Sequence, residues 1–279
     1  MKKVILSREE LHKGTLILVN ERHGITCDAP GELTNVDADI QLERQTAVLL
    51  EELMREIGGW SSIVPVSGWR SRAEQQSIWD SSLRENGPEY TRTYVALPGH
   101  SEHQTGLAID LGLRQEHIDF ICPAFPDTGV CGQFGKRAAD YGFILRYPAG
   151  KEKITGIGCE PWHFRYVGIP HARIMTENNL TLEEYTDYIK QFDSPLHPYC
   201  IRVGGRAVYV SYIAANSAQT VVEVNETAPY YISGNNVDGF VLTQWRNFGS
   251  DLPNTDRCNT AGKAVVGSAN YRYAGKRKV

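Results

Sequence analysis

Two short clusters of polar side chains combine the residue types that bind a catalytic zinc ion. The first contains His103 and Asp110, and the second contains Glu160 and His163. Two imidazoles and one carboxylate fill three positions of a tetrahedral Zn²⁺ and leave the fourth for water, as catalytic but not structural sites do. We therefore predict that His103, Asp110 and His163 bind one zinc ion per chain. Glu160, the spare carboxylate, is the candidate general base.

A third segment offers a positive charge for the same reaction. Arg70 stands in Ser67-Gly68-Trp69-Arg70-Ser71, which follows an apolar run and is typical of a tight turn after a strand. A guanidinium held in such a turn stabilises a developing oxyanion when it lies beside the metal. An arginine is as often a plain surface charge, so the residues alone leave this role open.

The remaining histidines and the cysteines carry no comparable pattern. The cysteines show no CxxC spacing, which predicts free thiols rather than a disulfide framework or a second metal site. Cys159 is expected to be a buried, inert thiol, and a bridge between Cys122 and Cys131 is left open. Structural roles are expected for five of the other histidines, which are His12, His23, His117, His171 and His197.

The three segments together resemble the zinc D,D-carboxypeptidases of the vancomycin-resistance VanY and VanXY types, which are LAS-type zinc peptidases. The resemblance rests on the Arg70 turn with Gln75, on Ser101-x-His103-x-x-Gly106-x-Ala108-x-Asp110, and on the run from Glu160 to Gly168. It extends from about Leu16 to Phe192. It implies an α+β fold in which helices flank a central antiparallel sheet.

The resemblance also implies roles for individual residues. The three ligands and the base are those already named, and Arg70 would assist the transition state. Gln75 and Ser101 match positions that hold the terminal D-alanine of the substrate, and Trp162 is assigned to the same substrate site. Trp69 departs conservatively from the tyrosine that is commoner in that turn.

The function expected from this resemblance is removal of the terminal D-alanine from peptidoglycan precursor stems that end in D-Ala-D-Ala, as in vancomycin resistance. A D,D-dipeptidase or a bifunctional dipeptidase and carboxypeptidase is the first alternative. L,D-carboxypeptidases and phage endopeptidases share the same site geometry. A catalytically inactive zinc fold that works as a binding module is a further alternative, against which Glu160 argues.

Periodic apolar patterns predict the elements that position these residues. Asp110 is expected on a strand with its side chain toward a cleft, whereas Glu160 is expected in the loop before the last strand, because positions i and i+3 of a regular strand face opposite ways. The connection 112–133 is a candidate lid. Strands are predicted at 15–19, 63–66, 105–111, 143–147 and 162–167, and helices at 42–57, from Ala73 with Ser71 as its cap, at 133–140 and at 182–192.

The length of 279 residues, together with a change in the sequence pattern after residue 193, predicts two unequal domains. Residues 1–193 form the expected catalytic domain. Residues 194–279 contain short β-type runs between Asn and Gly turns and are expected to form a small all-β domain of unknown role. The segment 86–99 is expected to be turn-rich.

Composition excludes several classes of partner. A net charge of -4, from 29 basic and 33 acidic residues without a long run of one sign, does not favour nucleic-acid binding, and the basic Lys276–Lys278 is expected to be a solvated tail. The apolar run at Val4–Leu6 is shorter than the roughly 7 to 15 residues of a secretory signal. No apolar segment is long enough to span a membrane. A cytoplasmic enzyme is expected, or an extracellular one if a leader was removed.

Overall fold

The computed structural model describes residues 1–26, 30–37, 39–194, 196–216 and 218–246. The strands are β1 (Lys2–Ser7), β2 (Leu33–Asp37), β3 (Ile40–Glu43), β4 (Ile63–Ser67), β5 (Ala108–Leu113), β6 (Phe143–Tyr147), β7 (Glu160–Tyr166), β8 (Tyr199–Val203), β9 (Arg206–Ala214), β10 (Gln219–Val224), β11 (Tyr230–Gly234) and β12 (Gly239–Arg246). The helices are α1 (Arg44–Glu56), α2 (Arg72–Glu85), α3 (Gly87–Tyr94), α4 (Gly129–Arg137), α5 (Glu152–Thr155), α6 (Ile169–Glu177) and α7 (Leu182–Tyr188).

A four-stranded antiparallel sheet of order β4-β5-β7-β6 forms the centre of the molecule, which confirms the predicted α+β fold. Its register places Asp110 opposite His163 on one side and opposite Ser67 on the other. Leu107, just before β5, and Ile109 and Leu111 of β5 lie in the apolar core. They pack there with residues of α1, including Leu50 and Leu53. Burial of that face leaves Asp110 on the opposite, cleft side of the sheet.

An irregularity in β7 corrects the prediction for Glu160. This residue is the first of β7 and pairs with Tyr147, whereas Phe164 pairs with Leu145. Three residues of β7 therefore lie opposite one residue of β6, which is a bulge. The bulge breaks the two-residue alternation, so Glu160 and His163 reach the same cleft from within one strand. The expected loop position was wrong because it assumed a regular strand.

The turn after β4 is fixed by close backbone contacts. A Cβ atom on Gly68 would lie 2.4 Å from the carbonyl oxygen of Gln41, so only glycine fits there. The Trp69 N–H donates to that same oxygen at 2.7 Å. Ser71 and Glu74 then form a capping box that starts α2, as predicted from Ser71. Arg70 is thus held between a tight turn and a capped helix.

The last described strands form a second antiparallel sheet, of order β11-β12-β9-β8, which confirms the predicted C-terminal β structure. β1 pairs with β10 along its whole length, from Lys2 opposite Val224 to Ser7 opposite Gln219. One buried cluster also contains residues from both sides of position 194, including Ile144, Leu182, Val210 and Val241. The division into residues 1–193 and 194–279 therefore stays a prediction, and 247–279, with the basic tail, lie outside the described residues.

Two local predictions were wrong. Residues 15–19 form no strand, although residues 16–19 are buried, because their backbone partners are a side chain and a turn. Arg165 donates to the carbonyl oxygens of Thr15 and Ile17 at 3.1 and 3.0 Å, and the Leu18 N–H donates to the Asn235 carbonyl oxygen at 3.0 Å. The segment 86–99 contains α3, which has Pro88 in its first turn, where proline needs no N–H.

The cysteines depart in part from the predicted free thiols. Cys122, Cys131 and Cys159 are free, so the bridge between the first two does not form. Cys122 instead contacts the Tyr90 hydroxyl at 3.2 Å, which ties the connection after β5 to α3. Cys200 is disulfide-bonded. None of the helices in the described part of the chain has the length and apolar character needed to span a bilayer.

Candidate metal centre

Three side chains from separate elements converge at one end of the cleft. His103 lies on a 3-10 turn (Glu102–Thr105), Asp110 on β5 and His163 on β7. One ligand atom from each lies within 4.8 Å of the other two, and all three residues are buried. The four ligands of a tetrahedral zinc ion with bonds of about 2.0 to 2.3 Å lie roughly 3.5 Å apart. The three donors therefore fit a zinc ion.

His103 is oriented by the backbone of the turn before α2. Its Nδ1–H donates to the Gly68 carbonyl oxygen at 2.7 Å, so its Nε2 faces Asp110 Oδ2 at 3.1 Å. Burial lowers the pKa of His103 to about 4, and the nearby Arg70 acts in the same direction. The imidazole is therefore neutral near pH 7, which is the form that binds a metal.

The pKa of His163 is shifted in the opposite direction from that of His103. Its Nδ1 lies 2.9 Å from Asp110 Oδ1. Burial lowers the pKa of His163, but the Asp110 carboxylate raises it more, to about 9. The two histidines therefore differ in protonation near neutral pH, and His163 has to lose a proton before it binds a metal.

Zinc affinity is accordingly expected to rise with pH. At pH values below about 9, binding exchanges the His163 proton for the metal, so the apparent association constant should increase up to about tenfold per pH unit between pH 6 and 8. Titration against a chromophoric chelator at several pH values measures this slope. Calorimetry in buffers of different ionisation enthalpy should show release of about one proton or more. An affinity that does not change with pH would contradict a protonated His163.

Glu160 lies beside the three ligands without being one of them. Its Oε2 is 3.6 Å from His163 Nδ1, and the side chain is buried. Burial raises the pKa of Glu160 to about 8, while the positive charges of His163 and Arg70 oppose this shift. A cation in the metal centre would act in the same direction as those charges. The carboxylate is thus placed to accept and return protons near neutral pH.

The remaining predicted site residues line the same cleft. Arg70, Gln75, Ser101 and Trp162 all contribute to its wall. The Gln75 amide donates to the Ala96 carbonyl oxygen at 2.8 Å, and its own carbonyl oxygen is buried without a partner among the described residues. The structure therefore brings every sequence-predicted site residue together.

Arg70 is held at the cleft through its backbone. Its N–H donates to the His103 carbonyl oxygen at 3.3 Å, and its partly exposed side chain lines the cleft. Burial lowers the pKa of Arg70, whereas Asp110 and Glu160 raise it. Since arginine stays protonated in proteins, the guanidinium is a fixed positive charge next to the reaction centre.

Beneath the metal centre lies a group of buried charges that sequence reasoning missed. Glu102, Arg146 and Arg165 are exposed by 1, 0 and 0%. Glu102 Oε1 accepts from Arg146 Nε at 2.8 Å and lies 2.7 Å from Arg165 Nη1, and Arg146 also donates twice to Glu183, at 2.9 and 2.7 Å. The available signal was that Arg146 of β6 and Arg165 of β7 each stand between apolar or aromatic neighbours in the sequence.

Comparison with known proteins gives consistent results. The family model described as VanY, D-alanyl-D-alanine carboxypeptidase, matches residues 39–169. The bifunctional D-Ala-D-Ala dipeptidase and D-Ala-D-Ala carboxypeptidase VanXYC of Enterococcus gallinarum is 48% identical over 182 residues, which are 63% of this chain and 96% of the relative.

Two solved structures are also similar. The vancomycin-resistance D,D-dipeptidase VanXYg, in complex with a D-Ala-D-Ala phosphinate analogue, has a TM-score of 0.86 at 47% identity and covers 88% of this chain and 99% of its own. A point mutant of a D,D-pentapeptidase VanY, from a VanB-type resistance cassette and in complex with Zn(II), has a TM-score of 0.54 at 33% identity, over 62% of this chain and 98% of its own. VanXYg matches 88% of this chain, which is a larger share than residues 1–193 make up. The structural similarity therefore extends into the C-terminal strands.

Proposed function

Because the chain belongs to the VanY family of D-alanyl-D-alanine carboxypeptidases, we propose that it is a zinc-dependent hydrolase that removes the terminal D-alanine from peptidoglycan precursor stems ending in D-Ala-D-Ala. The observation that carries the proposal is the convergence of His103, Asp110 and His163 beside a spare carboxylate, Glu160, in one cleft. We assign one zinc ion per chain to this centre. The cytoplasmic location expected from the sequence stays a prediction.

The chain's own residues supply the proton transfers of this reaction. Zinc, when bound, supplies Lewis-acid polarisation of the scissile carbonyl and lowers the pKa of water enough for it to act as nucleophile near pH 7. Glu160 accepts the proton of that water and passes it to the nitrogen of the leaving D-alanine. The two steps need one group that is ionised before attack and protonated after it. A pKa near neutrality suits a carboxylate to both.

The cleft also provides for the substrate. We propose that Arg70, which lines the cleft, stabilises the oxyanion that develops on the attacked carbonyl. Its turn and the capped α2 hold it before the reaction begins. We propose Gln75, Ser101 and Trp162 as contacts of the terminal D-alanine, since all three line the wall beside the metal centre. The partnerless carbonyl oxygen of Gln75 supports a contact with a donor group.

A bifunctional dipeptidase and carboxypeptidase is the second candidate. It is favoured by the 96% coverage of VanXYC, a bifunctional relative, and by the TM-score of 0.86 with VanXYg, a dipeptidase. An inactive binding module is not favoured, because a fold that only binds metal has no need of Glu160 buried next to it.

One assay separates these functions. D-Alanine release from zinc-loaded protein is measured with the D-Ala-D-Ala dipeptide and with a pentapeptide precursor ending in D-Ala-D-Ala. D-Lactate release is measured with the corresponding precursor ending in D-Ala-D-Lac. Release from the pentapeptide alone supports the carboxypeptidase, and release from both D-Ala-D-Ala substrates supports the bifunctional enzyme. No release from either by zinc-loaded protein would overturn the proposed function.

Replacement of Arg70 by methionine is expected to lower kcat by about 10²- to 10³-fold, the usual cost of removing one oxyanion-stabilising group. Zinc affinity should not fall, because Arg70 is not among the three ligands and its positive charge opposes a cation in the centre. Steady-state kinetics on the pentapeptide and a chelator competition measure the two effects. Arg72, on the next element, provides a matched control: Arg72→Met should retain kcat. A loss of zinc in Arg70→Met would show that the side chain supports the metal centre instead.

A further inference from the structure

The buried charges beneath the metal centre carry a role that goes beyond the ligands and the base. We propose that Glu102 is a positioning residue for His163: it accepts a hydrogen bond from Nε2–H and so directs Nδ1 to the metal. The inference rests on the proposed function through the assignment of His163 as a ligand. It concerns the group behind the ligand and not the ligand itself.

The two atoms involved lack any other partner. Glu102 Oε2 lies 3.6 Å from His163 Nε2, and neither atom has a hydrogen-bond partner among the described residues. Both side chains are buried, with exposures of 1 and 4%. A buried donor or acceptor that lacks a partner destabilises the folded protein, and a charged one does so more strongly. Within the described part of the chain each atom is placed to satisfy the other, and a movement of a few tenths of an ångström forms the bond.

The carboxylate cannot turn away from the histidine. Its other oxygen, Oε1, is held by both Arg146 and Arg165. Arg165 is in turn fixed by its hydrogen bonds to three backbone carbonyl oxygens, those of Thr15, Ile17 and Tyr166. The direction of Oε2 is thus set by the packed backbone, whereas a free carboxylate rotates about its last bond.

The buried charges also balance. Glu102 and Glu183 face Arg146 and Arg165, so the group beneath the centre is neutral as a whole. A net charge there would change the attraction for any cation, whichever way His163 pointed. Because this group is neutral, its main effect on the metal is exerted through the orientation and proton position of one imidazole.

A carboxylate behind a metal-binding histidine has known consequences. It fixes which ring nitrogen carries the proton and makes the ligand more basic, and its loss typically weakens metal binding by about 10- to 100-fold. In His103, the ring nitrogen that faces away from the metal centre already donates to an oxygen, the Gly68 carbonyl. Glu102 would complete the set, so that both imidazoles present a single defined nitrogen to the metal.

Glu102→Gln tests this role. Its amide oxygen can satisfy the arginines, but its NH₂ group then faces His163 Nε2 as a donor. The imidazole is driven to the tautomer with its proton on Nδ1, the atom that has to bind zinc. The variant is expected to bind zinc about 10- to 100-fold more weakly in a chelator competition. In the metal-free proteins, ¹⁵N chemical shifts of His163, recorded at a pH high enough for the imidazole to be neutral, should report the changed tautomer in the variant.

Glu183→Gln is the matched control, because it perturbs the same group of charges through Arg146 without contact to His163. It should lower the thermal unfolding midpoint and leave zinc affinity within about twofold of the wild-type value. If Glu102→Gln does not fold, Glu102→Asp replaces it: the shorter carboxylate keeps the charge for the arginines and withdraws from the imidazole, so zinc binding should again weaken.

Three outcomes decide the inference. Weaker zinc binding in the Glu102 variant alone supports it. Equal zinc affinity in Glu102→Gln and wild type, or equal weakening in the Glu102 and Glu183 variants, overturns it while leaving the proposed function intact. A wild-type protein that binds no zinc in the same titration overturns the proposed function itself.

Discussion

Glu160→Ala is expected to lose nearly all hydrolysis while it still binds zinc. General acid–base catalysis contributes about 10²- to 10⁴-fold, and Glu160 is the carboxylate beside the three ligands that is free to serve as the base. The predicted loss is therefore of this size in kcat/KM for D-alanine release from the pentapeptide. Zinc content after dialysis should remain at one ion per chain, because His103, Asp110 and His163 are intact.

Two further variants sharpen this result. Glu160→Gln keeps the shape of the side chain but cannot accept the proton, so it should lose as much activity as the alanine variant. Glu152→Gln changes an exposed carboxylate on α5 and should behave as wild type. The assignment of the base would be wrong if Glu160→Gln retained activity within a few-fold of wild type. If the Glu160 variants lost zinc, Glu160 would be a ligand instead.

The residues that line the cleft were easier to predict from the sequence than the buried charged residues behind them. The ligands and the base were predicted because side-chain type and spacing alone suggest zinc chemistry, whereas the role of Arg70 was predicted from the family resemblance. Glu102 stands between two residues that were singled out, yet its role depends on Arg146 and Arg165, which arrive from two other strands. A contact of that kind is set by sheet register and bulges, and no local pattern in the chain encodes it.

The same limit explains the errors in secondary structure. The strand expected at 15–19 has the right apolar residues, but its backbone groups are satisfied by Arg165 and by the turn at Asn235. Glu160 was placed outside β7 because alternation was assumed to be regular, and one bulge reverses that conclusion. The helix α2 was predicted correctly, because its capping residue Ser71 lies next to it in the sequence.

Contacts across long sequence separations also complicate the predicted division of the chain. Nothing in Val4–Leu6 indicates that it will pair with residues 220–222, since strand pairing leaves no local signature. The core cluster that joins α6 and α7 to β8, β9 and β12 is equally non-local. The C-terminal strands are therefore β structure, as predicted, while their division from the catalytic part as a separate small domain stays a prediction.

Loss of the metal should have the largest effect on activity. His103→Ala removes one of three ligands and also the hydrogen bond that ties the metal centre to Gly68. Since Lewis-acid assistance by zinc is worth several kcal/mol and each 1.36 kcal/mol is a factor of ten in rate, activity should fall by more than about a thousandfold. The measurements are kcat/KM on the pentapeptide and zinc content by atomic absorption, each compared with His197→Ala, an exposed histidine that does not line the cleft.

Chelation of the wild-type protein should produce the same loss of activity, but reversibly. The reversibility identifies loss of the metal as the cause of the lost activity. Dialysis against a chelator leaves His103 and Glu160 in place, so added Zn²⁺ should restore activity in wild type but not in His103→Ala. Zinc should also raise the thermal unfolding midpoint of the wild-type protein, because a ligand that binds only the folded state stabilises it. Activity that survives chelation, or that returns in His103→Ala at stoichiometric zinc, would contradict a metal centre built on His103, Asp110 and His163.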